Sequence, residues 1–382
     1  MRVLIFNTLY FPNSIGGAEK SVQSLAENLL KQGVKVTVVT STSKSDYIDE
    51  INGVKVYYIN NRNLYWGFDQ ESASALKKIV WHSIDTYNFR LENKITKILQ
   101  KEKPKIVHTN NLSGLSVVVW KVAQKNRIKI IHTIRDYYLV CPNATMYKDN
   151  KNCFNQCLLC KKFSLPKKKT SCLVDSVVGI SDYVLQKHIQ LGYFENTISR
   201  EVIGNDIRVV ETIKRDVDES SIVFGFIGQL NESKGIIQLL KTFEKLEHIN
   251  NWKLIIAGRG NGSFDDLLKK KYKSNRVEFV GVVDSEFFYK SIDVLIVPSL
   301  WQEPFGRVVI EGVLHGKYVL ASKRGGIKEL LIEDDLFEPE SDELIVKIME
   351  ILRTKVVPEQ RNKFTEKVAS RYVSLYNKML EN

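Results

Sequence analysis

The sequence predicts two doubly wound α/β units in tandem, and three observations carry that expectation. Short runs rich in Val and Ile, apolar on successive residues, recur along the 382-residue chain and read as parallel strands buried on both faces. Stretches with the three-and-four spacing of a helix separate them. The rhythm then starts afresh after a charged, aperiodic segment near the middle, as expected of a chain long enough for about two domains of ~100–200 residues.

In chain order, the first strand is expected at 3–6 and a helix at 18–30. Further strands are expected at 34–39, 54–59, 106–109, 128–133 and 176–180. The longest helical pattern covers 76–99, where Leu76, Val80, Ile84, Tyr87, Leu91, Ile95 and Ile98 form one stripe. Lys77, Lys78, Arg90, Lys94, Lys97 and Lys101 lie largely off it. The stripe is read as core-facing with a wet basic side, a membrane-surface helix being the alternative. In the second half, strands are expected at 222–227, 252–257, 277–280, 294–297 and 318–321. The join is placed in 206–221, where Asp216 and Asp218 look like a metal-holding acidic pair but read as solvated linker surface. Phe364, Val368, Tyr372, Leu375, Tyr376 and Met379 make 361–382 an amphipathic closing segment. The expected organisation is a first domain over 1–205 with a cysteine-containing insert at 141–172, a second over 206–365, and a helix at 366–382 packing back on the first.

Apolar residues are 43% and charged residues 26%, which fits a globular protein and excludes a disordered one. No apolar run approaches the ~18 residues that cross a bilayer. The opening run turns polar at Asn7, too soon for an export signal, so a cytoplasmic location is expected. Lys and Arg number 56 against 44 Asp and Glu, a net charge of +12. Residues 1–200 hold 29 against 15, whereas residues 201–382 hold 27 against 29. A basic first half calls for an anionic partner: nucleic acid, an anionic lipid surface or a phosphorylated small molecule. No nucleic-acid partner is expected, because lysine runs such as Lys167-Lys168-Lys169 lack interleaved aromatics and no binding motif is recognisable.

The most specific chemistry lies between Pro298 and Glu311. A buried strand ends in a loop carrying Glu303, and a helix carrying Glu311 starts between the two carboxylates, so both can face a ligand at the strand's carboxyl end. Gly306 lets the backbone come close, and the helix start offers N–H groups to an anion or an oxygen. Carboxylates suit sugar hydroxyls because each ionised oxygen accepts several hydrogen bonds.

Glu303-Pro304-Phe305-Gly306-Arg307-Val308-Val309-Ile310-Glu311 resembles the E-x7-E motif of the retaining GT-B glycosyltransferases of the group-one family, family four. Gly16-Gly17-Ala18-Glu19 looks like that family's glycine-rich loop, and Gly228-Gln229-Leu230-Asn231-Glu232-Ser233-Lys234-Gly235 like its phosphate-binding loop. Residues 291–299 and Gly325-Gly326-Ile327-Lys328-Glu329 match in order and spacing, and 202–206 looks like an altered end of the first domain. The resemblance covers nearly the whole chain. It implies two Rossmann-like domains facing across a cleft, with the acceptor on the first and a nucleotide-sugar donor, UDP or GDP type, on the second. The donor is a co-substrate; no catalytic cofactor or metal is implied. Lys234 and the amides of Gly16 and Gly17 would meet the leaving diphosphate, and Glu311 the ribose. Glu303 and the backbone at Phe305 and Gly306 would hold the sugar hydroxyls, with Gln229, Arg259, Arg307 and Val308 completing the donor set.

A glycan or polyprenyl-diphosphate-linked acceptor would suit the basic domain, the enzyme then lying peripherally on the anionic cytoplasmic membrane face. A soluble sugar phosphate would suit it too, and an anion-binding scaffold without activity is the non-enzymatic alternative. Two positions depart from the family pattern. Arginine is common where Gln229 stands, with Arg307 or Arg259 as the replacement to look for. Arg135-Asp136 stands where many relatives carry a histidine–aspartate pair; both are grouped with Glu303 and Lys234 as catalytic candidates, although arginine can steady phosphate charge but not act as a base. All five cysteines, Cys141, Cys153, Cys157, Cys160 and Cys172, fall within 32 residues. Cys141, Cys153, Cys157 and Cys160 are spaced for a structural zinc, reduced thiols being the alternative, in an insert expected to shape the acceptor side.

Overall fold

The computed structural model describes residues 1–13, 16–68, 74–207, 221–260, 262–272, 274–361, 364 and 367–381; Asp216 and Asp218 lie outside them. The chain divides into two units. One comprises Met1–Met146, Cys153–Asp206 and Glu366–Asn382, the other Tyr147–Asn152 and Ile207–Thr365.

The first unit is built on an eight-stranded sheet. Its strands are β1 (Arg2–Phe6), β2 (Lys35–Thr42), β3 (Tyr47–Ile51), β4 (Val54–Asn60), β5 (Ile106–Thr109) and β6 (Lys129–Ile134). After a hairpin that belongs to the other unit, β7 (Tyr147–Lys148) and β8 (Lys151–Asn152), come β9 (Ser176–Gly179) and β10 (Ser199–Val202). The order is β10-β9-β6-β5-β1-β2-β4-β3, parallel except at β3, which runs antiparallel to β4. Phe6 at the end of β1 pairs with Val39 on one side and Thr109 on the other, so the loops after β1 and β5 leave side by side where the order reverses. Helices α1 (Gly17–Lys31), α2 (Ala75–Thr86), α3 (Glu92–Glu102), α4 (Val118–Lys125), α5 (Leu158–Ser171) and α6 (Asp182–Gln190) lie between the strands. Val22, Leu25 and Leu29 of α1 pack on Val3, Ile5, Val38 and Val56, which is why those strands are apolar on successive residues.

The second unit repeats the plan with β11 (Ile222–Ile227), β12 (Trp252–Ala257), β13 (Val277–Gly281), β14 (Val294–Val297), β15 (Tyr318–Ser322) and β16 (Leu336–Phe337). Its sheet is parallel in the order β13-β12-β11-β14-β15-β16, so it reverses between β11 and β14. Helices α7 (Ile236–Glu244), α8 (Gly262–Lys271), α9 (Ser285–Ser291), α10 (Arg307–Leu314) and α11 (Glu343–Thr354) accompany it. Phe224, Leu239, Phe243, Trp252 and Ile348 sit in its core. The last helix, α12 (Val368–Glu381), belongs to the first unit, where Tyr372, Leu375, Tyr376 and Met379 join the core of β1, β2 and α1.

One expected element is redrawn. The helical pattern over 76–99 breaks at Tyr87 and Asn88 into α2 and α3, joined by a short 3-10 turn over Phe89–Leu91. Tertiary bonds cause the break: the Asn88 amide donates to Ser116 Oγ at 2.9 Å and its side chain to the Asn61 carbonyl at 2.8 Å. Leu91, Ile95 and Ile98 are buried as the stripe requires, but Leu76 and Val80 are exposed. Among the described residues no helix is long and apolar enough to cross a membrane.

Candidate active site

In the second unit the loops after β11 and β14 leave the sheet at the point where its order reverses, the place where doubly wound sheets bind ligands. Lys234, from the first loop, donates from Nζ to Glu303 Oε1, from the second, at 2.6 Å. Ser299 Oγ donates to the same oxygen at 2.8 Å, and the Trp301 ring lies 5.0 Å from the ammonium. The backbones touch as well: Leu300 N donates to the Ser233 carbonyl at 2.8 Å. Gly235 makes that approach feasible, since it sits at φ +75° and a Cβ there would stand 1.8 Å from the Pro298 oxygen. Asn231 closes the turn, its Oδ1 accepting from Lys234 N at 3.0 Å.

The Glu303 loop is held from two further directions. Gly326 N donates to the Glu303 carbonyl at 2.8 Å, and Gly325 N to Gln302 Oε1 at 2.6 Å. From the hairpin of β7 and β8, Asn152 accepts from Gln302 N at 2.9 Å and donates to the Leu300 carbonyl at 2.8 Å. On α10, Arg307 Nε donates to Glu311 Oε1 at 2.7 Å, one turn along the helix. Tyr289 OH donates to Glu311 Oε2 at 3.4 Å; burial, and then the carboxylate, hold that phenol well above the usual tyrosine range. His315 stacks on Tyr289 with centroids 4.3 Å apart. Glu303, Phe305 and Gly306 are buried, Val308 is half-buried, and Gln229 and Arg259 are exposed on neighbouring loops joined where Leu230 N donates to the Arg259 carbonyl at 3.1 Å.

In the first unit Arg135 is buried at the end of β6. Its Nε donates to Asn110 Oδ1 at 2.8 Å, and an Nη to Asn205 Oδ1. Asp136 accepts from Tyr138 N at 2.8 Å, and burial, with Glu19 nearby adding repulsion, raises its carboxyl to about 6. The Gly16 amide, expected to meet phosphate, donates here to Glu19 Oε2 at 3.0 Å. His132 is a buried strand residue bonded to Thr109 Oγ1 at 2.9 Å. Beneath α5 lies a further buried cluster. Lys167 Nζ donates to the Tyr138 carbonyl at 2.9 Å, Tyr138 OH to Asp85 Oδ2 at 2.7 Å, and Gly114 N to Asp85 Oδ1 at 2.6 Å. Burial lowers Lys167 to about 8 and raises Asp85 to about 6, each charge opposing the other's shift.

The cysteines do not fit a zinc site. Among the described residues no group of three or more His, Cys, Asp or Glu side chains is placed to hold a metal ion. Cys157 is exposed at the start of α5, Cys153 lies where the β7–β8 hairpin closes, its amide bonded to the Met146 carbonyl, and Cys172 donates to its own helix at Lys169. Burial, then neighbouring Cys141 and Cys157, push the Cys160 thiol up. The spacing is metal-like, and none of the five cysteines is in a disulfide. Sequence reasoning also missed Tyr289 and Asn152, which reach Glu311 and the Glu303 loop only through tertiary contacts.

Comparison with known proteins agrees with this architecture. The family model "Glycosyl transferases group 1" matches residues 210–371, and "Glycosyltransferase Family 4" matches residues 15–199. An uncharacterized 42.6 kDa protein in the cps region of Klebsiella pneumoniae is 41% identical over 336 residues, covering 86% of this chain and 87% of that protein. Sucrose-phosphate synthase from Thermosynechococcus elongatus superposes with a TM-score of 0.76 at 17% identity, covering 100% of this chain and 99% of that one. Anabaena HepE in complex with UDP and glucose gives a TM-score of 0.67 at 18% identity, covering 99% and 98%. The chain thus belongs to the group 1 glycosyltransferases, family four, and has their GT-B fold of two doubly wound α/β units.

Proposed function

We propose that this glycosyltransferase moves a sugar from a nucleoside-diphosphate donor, with retention at the anomeric carbon, to a glycan or polyprenyl-diphosphate-linked acceptor in surface polysaccharide synthesis. The contact of Lys234 with Glu303 at the reversal point of the second sheet carries the proposal. When the sugar–phosphate bond breaks, its electron pair stays with the diphosphate, and the Lys234 ammonium stabilises the charge that develops there. Lys234 and Ser299 occupy Glu303 Oε1, leaving Oε2 for the sugar's hydroxyls. Glu311, oriented by Arg307 and Tyr289, takes the ribose. The acceptor oxygen bonds to the anomeric carbon on the face the diphosphate leaves, and its proton passes to a donor phosphate oxygen. No carboxylate serves as nucleophile in that scheme, and no step is assigned to a metal. Arg135, fixed by Asn110 and Asn205, is assigned to phosphate charge, with Asp136 beside it.

The UDP and glucose bound to Anabaena HepE support the donor class, and the Klebsiella relative in a cps region supports the pathway. Glu303→Ala and Lys234→Ala are each expected to cut transfer about hundredfold or more. A panel of UDP, GDP and ADP is expected to contain one ligand that stabilises the protein by about 3 kcal/mol at ~100 times its Kd. Near-normal turnover in either variant, or no thermal shift with any of the three, overturns the donor-site assignment.

A further inference from the structure

Helix α5 turns an apolar and basic face to solvent. Ser164, Lys167 and Ser171, at steps of three and four, are buried. Leu158, Lys162, Leu165 and Lys169, at steps of four, three and four, fall on the opposite side of the same helix. Leu158 is 85% exposed, Leu159 64%, Leu165 52%, and Phe154 just ahead of the helix 78%. A single exposed leucine needs no explanation, but four large apolar side chains in so short a segment form a patch. Residues 150–174 carry six lysines and no carboxylate. Helix α2 lies alongside, its His82 ring 6.0 Å from that of Phe163 and its Thr86 Oγ1 donating to the Phe163 carbonyl at 3.2 Å. It exposes Leu76, Ile79 and Val80 with Lys77 and Lys78 among them, and its one carboxylate, Asp85, is buried.

We infer that this α2–α5 face docks on an anionic lipid bilayer surface. The leucines enter the boundary between headgroups and acyl chains, while the lysines, on long apolar stems, reach lipid phosphates. Charge selects this occupant. Helices α2 and α5, which among the described residues expose lysines and no carboxylate, match a surface that is negative throughout, and a second copy of the chain would set lysine against lysine. Nucleic acid would answer the lysines but offers nothing to the aliphatic side chains. The inference rests on the lipid-linked acceptor proposed above, and it gives that acceptor's enzyme a defined seat on the membrane.

The test is co-sedimentation of the full chain with vesicles of phosphatidylcholine alone or with 30% phosphatidylglycerol (about one anionic lipid in three, chosen to give a negative surface). Binding is expected only to the anionic vesicles and is expected to weaken as salt rises. Lys161→Glu/Lys162→Glu/Lys169→Glu is expected to lower partitioning about hundredfold, at about fivefold per lysine. Leu158→Asp/Leu165→Asp is expected to lose about tenfold or more per leucine. Both variants alter exposed positions, so melting temperature and the nucleotide-induced thermal shift should match the parent. Failure of the parent to bind anionic vesicles, equal binding to neutral ones, or undiminished binding by both variants overturns the docking face. Self-association abolished by the leucine variant, without vesicle binding, overturns it in favour of a protein interface. Vesicle binding without any nucleotide shift in the parent leaves the docking face standing and sinks the donor site instead.

Discussion

Replacing Gly325 by alanine tests how tightly the Glu303 loop is positioned. Gly325 sits at φ +56°, and a Cβ there would lie 2.1 Å from the Glu303 carbonyl oxygen and 2.7 Å from its amide nitrogen. These are backbone atoms, so no side chain can swing aside. Reaching ordinary contact moves the loop about 1 Å, enough to take Glu303 away from Lys234 and to stretch the 2.8 Å bond from Gly326 N to the Glu303 carbonyl. The left-handed conformation costs alanine about 1–2 kcal/mol and the weakened hydrogen bond about 1 kcal/mol. The second unit should therefore melt roughly 5–10 °C lower. In the role proposed for Glu303, a displacement of about 1 Å costs about a hundredfold in rate. Gly325→Ala is thus expected to remain folded at 20 °C, bind nucleotide detectably and transfer sugar about a hundred times more slowly, as read by melting, thermal shift and a donor-consumption assay. Turnover within about threefold of the parent refutes the claim that this glycine sets the carboxylate's position.

Two further outcomes follow from contacts that link distant parts of the sequence. Asn152→Ala removes both side-chain bonds to the loop over 300–302, and it is expected to weaken donor use about tenfold, mainly in KM, without lowering Tm by more than a few degrees; an unchanged donor KM removes Asn152 from the donor site. Asp85 titrates near 6 in the folded protein, against ~3.9 when unfolded, so as pH falls from 7 to 5 the native state takes up a proton that the unfolded state does not. The parent therefore gains about 1 kcal/mol over Asp85→Asn across that interval, with Lys167 charged throughout, and the Tm gap should shift by roughly 2–4 °C in the parent's favour; a gap that is constant or moves the other way refutes it.

The parallel sheets were legible because their strands cannot disguise themselves: buried on both faces, β1, β11 and β14 are apolar at almost every position. Strand β3 escaped, since Tyr47–Ile51 pairs only at the sheet edge and carries Asp49 and Glu50 to solvent. The β7–β8 hairpin escaped too, its two-residue strands holding Tyr147, Lys148, Lys151 and Asn152. Motif residues Glu303, Glu311 and Lys234 stood out by their neighbours in sequence, but nothing local says that Lys234 meets Glu303. The chain reversal between β11 and β14 makes that contact. The stripe over 76–99 misled for a related reason: Leu76 and Leu91 are spaced alike, yet only the second finds a core to enter. The cysteines misled in the opposite direction, with metal-like intervals along the chain but, among the described residues, no group of three or more side chains placed to hold a metal ion.

Helix α12 has a consequence for the order in which the molecule can be completed. Its Tyr376 hydroxyl meets His108 at 2.7 Å, its Tyr372 hydroxyl meets Thr133 at 2.9 Å, and its buried face closes the core over β1 and β2. A ribosome that has delivered every strand of the first sheet has not yet supplied that helix; the 159 residues Ile207–Thr365 of the second unit come first. The earlier-made sheet is thus the later one to be finished, and through that interval the surface awaiting α12 stays open. The residues assigned to the second unit all precede Glu366. Cutting the gene after Asp206 would therefore yield a first unit lacking part of its own interior.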